Sequence, residues 1–559
     1  MDLENPALKI MQPINSIMII RTPLSNQNNC LINNLIICLI LCGIIILSPN
    51  FLEGQPTIQW SHLYGGSNSD LSLSFQKTTD GGYILAGVTK SEDGDLNGHY
   101  GAETWDGWII KTDEEGVLQW QQHYGGTGYD KIVDVQPTQD GGYIASGYST
   151  SSDGDLTENK GNDDAWIIKL NGIGEIEWQK TYGGSSYDET RRIRPLKNGG
   201  YLVAGTSRSQ DGDLDTLKKT GGGNYWLFQI TETGEIVWMK TYGGNETDVI
   251  FDMELTNDGG CVMVGNALSS DEDITENKGL LDCWIVKVDT IGNIQWQHAY
   301  GGSNNDNAIS VSPTFDGGYI IAGGTHSSDG DVSFIRGEED FWVLKLHSDG
   351  TIQWQKTYGG SLSDHGIAVI QTIDKGFLVG GESTSADGNL NGNHGDGDLW
   401  LLKLDTIGQI QWQKNFGGSE SELPFKLLQL ENMDYVIAGV SASSDGDLSD
   451  NHGRGDFWIF KLSSVTSTTY IAPLLKEMKI YPNPLTSNLL NLTFNSERTL
   501  DVYIEITTNL GKKIFSEKRQ TISGKNNIPL SLPVISASIY FITIKVEGQL
   551  FTKKIEKFK

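Results

Sequence analysis

The sequence predicts an all-β fold: a seven-bladed β-propeller closed by its N-terminal strand in the last blade, followed by a small Ig-like β-sandwich. Three observations carry this. Trp60, Trp120, Trp178, Trp238, Trp296, Trp354 and Trp412 recur every 58 or 60 residues, and Trp108, Trp166, Trp226, Trp284, Trp342, Trp400 and Trp458 interleave with them. Each interval holds four short runs of strand-forming residues separated by turn residues, the content of a propeller blade. The chain of 559 residues has 68 Gly against 14 Pro, a balance that suits many tight turns rather than a Pro-rich tail.

Taken in chain order, residues 1–50 read as a leader. Leu35–Leu47 is an apolar run with Arg21 upstream and Ser48-Pro49 downstream, too short for a membrane span and of the length of a signal-peptide core. Export is expected, with no stable transmembrane span in the mature form.

Residues 56–462 form the propeller. The unit after Ser303 shows its grammar: Asn307–Pro313 as strand A, Asp316-Gly317-Gly318 as a tight turn, Tyr319–Gly323 as strand B, a long polar loop, Phe341–Leu346 as strand C, His347–Gly350 as a turn, and Thr351–Lys356 as strand D. Ile58-Gln59-Trp60 is a strand D that precedes the first A–B–C set, whereas the last set ends at Leu462 without one. Joining the two leaves no exposed sheet edge.

Strand alternation puts the A–B and C–D turns on one face and the longer B–C and D–A loops on the other. Three acidic series share that second face. Asp70, Asp130, Asp188, Asp248, Asp306, Asp364 and Glu422 follow the D strands. Paired acceptors occupy the B–C loops: Asp93/Asp95, Asp153/Asp155, Asp211/Asp213, Asp271/Asp273, Asp329/Asp331, Asp387/Asn389 and Asp445/Asp447. A third series, Asp106, Asp164, Asn224, Asp282, Asp340, Asp398 and Asp456, stands one residue before strand C. Spaced carboxylates on loops suit calcium, with Asp93, Asp95, Asp153, Asp155, Asp211, Asp213, Asp329, Asp331, Asp445 and Asp447 as candidate ligands. They equally suit capping of backbone N–H groups, and repetition in every blade favours capping, because scaffold chemistry repeats while ligand sites differ between blades. No cofactor is required.

The net charge is −30, of which residues 56–473 carry −35 and the C-terminal segment from Leu474 carries +6. An acidic body argues against nucleic acid as a partner. The sequence holds no Gly-x-Ser-x-Gly, no His-Glu-x-x-His and no phosphate-binding loop. His99, His394 and His452 lie in B–C loops of different blades without an evident triad. Cys261 and Cys283 start neighbouring antiparallel strands at opposite ends of a blade, too far apart for a disulfide. The Trp series read as packing between blades. Positions that depart from the repeat are the candidates for individual function: Trp105, Arg191-Arg192, Arg194 and Glu338-Glu339. These features point to a binding or scaffold protein for an extracellular glycan or protein, with a hydrolase or lyase acting near the central channel as the alternative.

Residues 463–477, Ser/Thr-rich at their start, read as a linker, and residues 478–559 change to alternating strands. This last segment carries Tyr481-Pro482-Asn483-Pro484, an Asn-x-Gly-Lys turn at Gly511, Ile539-Tyr540-Phe541 and a Lys-rich end. It resembles the C-terminal sorting domains of the type IX secretion system of Bacteroidota. The resemblance implies export across the inner membrane, recognition by the type IX machinery, and a secreted or outer-membrane surface-attached product.

Overall fold

The computed structural model describes residues 55–464 and 475–557, apart from 97, 99–103, 218–220, 391, 450, 484, 486, 497–498, 509–511, 534–537 and 547–548. The expected leader, most of the linker, His99, Pro484 and Gly511 lie outside the described residues.

Between Ile58 and Leu462 the chain forms seven four-stranded antiparallel sheets. In six of them the order across the sheet is A–B–C–D in sequence, as in Asp70–Lys77, Tyr83–Thr89, Asp106–Thr112 and Leu118–Tyr124 of sheet 1. The A strands of the others are Asp130–Pro137, Asp188–Pro195, Asp248–Leu255, Ser310–Pro313, Asp364–Gln371 and Glu422–Gln429. Strand A of sheet 5 is shorter than expected, starting at Ser310 rather than Asn307. The third acidic series does not precede strand C but opens it, since pairing begins at the acid itself. Each A strand contacts the A strands of its two neighbours, the seventh returning to the first, so these strands form an inner ring.

Sheet 7 is completed by the first strand of the described residues. Ile58–Tyr64 pairs antiparallel with Asp456–Leu462 from Ile58↔Leu462 to Tyr64↔Phe457. Thr57 N donates to Ser463 Oγ at 3.0 Å, and Asp434 accepts from both Gln59 Nε2 and Ser464 N. One residue reports on the closure independently. The Tyr ending strand D donates its hydroxyl to a C–D turn carbonyl of the next sheet, as Tyr124 does to Gly174 at 2.6 Å and Tyr358 to Gly408 at 2.6 Å. Sheet 7 has no covalent C–D turn to accept such a bond, and the strand before it ends in Phe416.

Core and seams follow from the two Trp series. All seven strand-C tryptophans are fully buried. Six bond through Nε1 to a strand-D side chain of the same sheet, among them Trp108 to Gln121 at 2.9 Å and Trp458 to Ser61 at 2.8 Å. The strand-D tryptophans are mostly half-buried, and five of them lay their rings against the aromatic that opens strand B of the next sheet, as Trp120 does on Tyr143 and Trp354 on Phe377. Cys261 and Cys283 are buried and unpaired, for Cys261 faces Val288 while Cys283 faces Asn266 at the far end of the pair.

The C-terminal segment forms a three-stranded and a four-stranded antiparallel sheet that share one core, including Leu490, Leu492, Phe494, Val502, Ile504, Ile542 and Ile544. Among the described residues no helix is long and apolar enough to cross a membrane.

Candidate functional site

The loop-rich face is built in two parts, a repeated framework and a set of positions that differ between sheets. In the framework, the first acid of each B–C loop accepts a backbone N–H of the preceding D–A loop. Asp93 does so from Ser67 at 2.7 Å, Asp153 from Thr127 at 2.8 Å, Asp211 from Ser185, Asp329 from Ser303 and Asp445 from Ser419, each at 2.7 Å. The second acceptor holds the glycine that follows strand D: Asp95 with Gly65, Asp155 with Gly125 and Asp213 with Gly183 at 3.0 Å, Asp331 with Gly301 at 3.1 Å, and Asp447 with Gly417 at 3.3 Å. Every proposed calcium ligand is thus bonded to the backbone of its own sheet pair. Among the described residues no group of three or more His, Cys, Asp or Glu is placed to hold a metal ion.

The acid that opens strand A is fully buried and ties both loops. Asp130 accepts from Gly126 N at 2.7 Å, Ser151 Oγ at 2.7 Å and Ser149 Oγ, while burial pushes its carboxyl above the ordinary range. The acid that opens strand C caps its own loop: Asp398 accepts from His394 N at 2.8 Å and Asp456 from His452 N at 2.8 Å. These two histidines also point Nδ1 at the same carboxylates at 2.9 Å, which gives His394 and His452 a capping role. Burial raises Asp164 and Asp282 to about 6, with Asp188 and Asp306 of the next sheets adding repulsion.

The variable positions converge on the inner rim of this face. The residue before strand C forms a parallel bridge with the residue before strand A of the next sheet, as Glu339 does with Ser363. At this seam between sheets 5 and 6, Glu339 Oε1 lies 2.6 Å from His365 Nδ1, and Ser363 Oγ donates to Glu339 Oε2 at 3.2 Å. Gly324 makes room for the pair, because a Cβ there would stand 2.8 Å from His365 Nδ1. Burial would raise the Glu339 carboxyl, yet the His365 bond holds it below the ordinary range. Glu382, on strand B of sheet 6, moves the opposite way: burial raises it, and Glu339 adds to the rise against the pull of His365. At the seam between sheets 1 and 2, Lys90 Nζ sits 4.7 Å from the Trp105 ring centre and Lys131 Nζ 5.2 Å from that of Tyr148. At the next seam burial raises Asp163, with Glu189 adding repulsion. Glu338 is exposed beside this rim.

Arg192 and Arg194 lie elsewhere, in the channel. One side chain per A strand stands at equivalent register, Ser74, Asp134, Arg192, Asp252, Ser310, Ala368 and Lys426. Arg192 Nε pairs with Asp252 Oδ1 at 2.5 Å, and Arg194 bridges Asp134 Oδ2 at 2.6 Å and Glu254 Oε1 at 2.7 Å. Arg191 pairs with Glu189 at 3.0 Å. Sequence reading singled out Trp105, Glu339 and the arginines but missed His365, Glu382 and Lys426. The signal was present in aligned columns of the repeat: the second residue of strand A, the sixth of strand B and the inward-facing residue of strand A change character from sheet to sheet.

In the C-terminal sheets, Tyr481 ends strand Leu475–Tyr481 with its ring half exposed, Pro482 follows it through a cis peptide, and Tyr540 is buried in the core. Residues 479–557 match the family described as the secretion system C-terminal sorting domain. That segment is a type IX sorting domain. The sorting domain makes the protein a secreted or cell-surface one, delivered by the type IX machinery. No curated protein matches the chain. Solved structures similar to it include the Pan2 WD40 domain of Neurospora crassa, 11% identical over 70% of this chain and 89% of that one with a TM-score of 0.37. Another is the PQQ-bound aldose sugar dehydrogenase of Streptomyces coelicolor, 8% identical over 73% and 98% of the two chains with a TM-score of 0.31.

Proposed function

We propose that this protein is a surface-delivered, seven-bladed β-propeller binding module, with a leader at 1–50, the propeller at 56–462, a linker at 463–477 and an Ig-like sorting sandwich at 478–559. Its ligand, an extracellular glycan or protein, is taken by the inner rim of the loop-rich face. One observation carries the reading: the acids repeated in every sheet are bonded to their own backbone, whereas Glu339, His365 and Glu382, which differ from their counterparts in other sheets, meet at the rim. Binding of the secreted chain to immobilised extracellular glycans and surface proteins tests it. His365→Ala and Glu382→Gln are expected to weaken capture by about tenfold or more, the usual scale for a hydrogen bond to a charged group. Glu338→Gln serves as the neighbouring control, and equal capture by all variants would overturn the reading.

The same rim favours a second reading, a hydrolase or lyase. Glu339 is held ionised while Glu382 is held towards its protonated form, and opposite displacement of two carboxyls is how acid and base roles are divided. Turnover of a captured glycan that is lost in Glu382→Gln while binding persists would move the assignment to this reading.

For the framework acids, capping and calcium chelation separate in one measurement. Millimolar calcium after exhaustive chelation is expected to leave the thermal midpoint unchanged, and a rise would assign the loops to calcium.

A further inference from the structure

The channel contains a second region that the rim does not explain. Among its charged side chains, Arg192 closes on Asp252, and Arg194 closes on Asp134 and Glu254. Lys426 is left over. Its one ion pair among the described residues is with Asp252 Oδ1 at 3.8 Å, beyond hydrogen-bond reach, and that oxygen already takes Arg192 Nε at 2.5 Å. The other Asp252 oxygen accepts Val311 N at 3.0 Å, so this carboxylate has little left to offer an ammonium. Burial works against the Lys426 charge, and Arg192 and Arg194 add to that effect while Asp252 opposes it. A largely desolvated ammonium, its side chain 16% exposed, without a close acceptor is a costly arrangement that an anion relieves.

Lys426 lines a cavity of about 240 Å³ at the end of the channel nearest the short A–B turns. A second cation, Lys77, lines the same cavity from the neighbouring A strand across the closure of the ring. Glu254 is the one carboxylate in the wall, and both its oxygens are held by Arg194, at 2.7 and 3.3 Å. Pro313, Ile370 and Leu428, each partly exposed, supply apolar surface. The volume falls below the roughly 300–1,000 Å³ of pockets that hold drug-sized ligands, and converging polar groups set beside apolar surface are what orient a small molecule in such a site.

We propose that this channel cavity binds a small organic carboxylate, its anionic end taken by Lys426 and Lys77 and its body lying on the apolar wall. The site is separate from the rim, on the other end of the ring, and neither depends on the other.

Benzoate and butyrate are the probes, titrated calorimetrically into the full secreted chain, with benzyl alcohol as the neutral isostere of benzoate. At least one carboxylate is expected to bind while benzyl alcohol does not. Lys426→Met is expected to lower that affinity by about tenfold or more, as loss of a charge-assisted hydrogen bond does. Lys77→Gln, at the more exposed margin, is expected to lower it by less and decides the matter if Lys426→Met does not fold. Absence of binding by both carboxylates, equal affinity in wild type and both variants, or equal binding of benzyl alcohol would each overturn the proposal.

Discussion

Trp226 shows how closely this fold depends on single atoms. Six of the seven strand-C tryptophans find a partner for Nε1, five on glutamines and one on Ser61, whereas the Trp226 Nε1 is buried without one. The cause is Met239, which occupies the strand-D register that Gln121 fills in sheet 1. Met239→Gln is therefore expected to stabilise the protein by about 1 kcal/mol, read as a shift in denaturant midpoint at constant slope. No shift would mean that the indole is satisfied in another way. A similar local logic governs the buried lysine of strand C, which pairs with the aspartate of the A–B turn, as Lys111 does with Asp80 at 2.8 Å. In sheet 3 both partners are neutral, Gln229 and Asn198, so charge is removed on both sides together.

Among the elements, the strand Ile58–Tyr64 bears the largest consequence for its length. It covers the outer edge of Asp456–Leu462 and gives Trp458 its hydrogen bond through Ser61. Deleting residues 55–64 is expected to leave that edge open, with loss of the monomer to strand-exchanged or aggregated species by size-exclusion chromatography. A monomer melting like wild type would show that sheet 7 stands on three strands. Elements of this kind were legible in the sequence, since Trp spacing, Asp-Gly-Gly turns and the displaced first strand D fix the order of the strands and what pairs with each, although strand A of sheet 5 and the C strands start at other residues than expected. Site residues were legible only in part. Glu339 and Arg192 announced themselves by breaking the repeat nearby in sequence. His365 and Glu382 meet Glu339 only through the seam between two sheets, at separations of 26 and 43 residues, and Lys426 meets Asp252 only across the channel. No local pattern records such meetings. The acids, conspicuous by number, accept backbone N–H bonds, a pairing across two loops that no local pattern specifies.

At the scale of the whole molecule, the same acids set the response to pH. Asp164 and Asp282 sit at about 6 in the folded chain against an ordinary value of 3.8, so their burial penalty is present above pH 6 and is relieved as pH falls from 6 towards 3.8. Asp80, Asp140, Asp258 and Asp316 are held at about 2, because their buried lysine partners outweigh the effect of burial. Their contribution is complete above 3.8 and is lost as pH falls from there through 2. The thermal midpoint is thus expected to rise between pH 7.5 and 5 and to fall steeply below pH 3.8. Asp164→Asn with Asp282→Asn, a side chain that Asn224 already supplies at this position in sheet 3, is expected to flatten the rise. An unaltered slope in the double variant would remove these two acids as its source.

The bond between Thr57 and Ser463 joins residues 406 positions apart in the chain. A ring shut in this way has a fixed order of assembly. The six sheets with four consecutive strands complete themselves as the chain emerges, each from contacts within some 60 residues, but the seventh waits for the last three strands to reach the first. Long-range closure of this kind is slow, since the loop entropy is spent before any contact rewards it. In a secreted protein the ring can therefore finish only once nearly all of the chain from Ile58 to Leu462 is available. Shutting of the ring therefore marks the moment at which the cargo ahead of the sorting domain is whole.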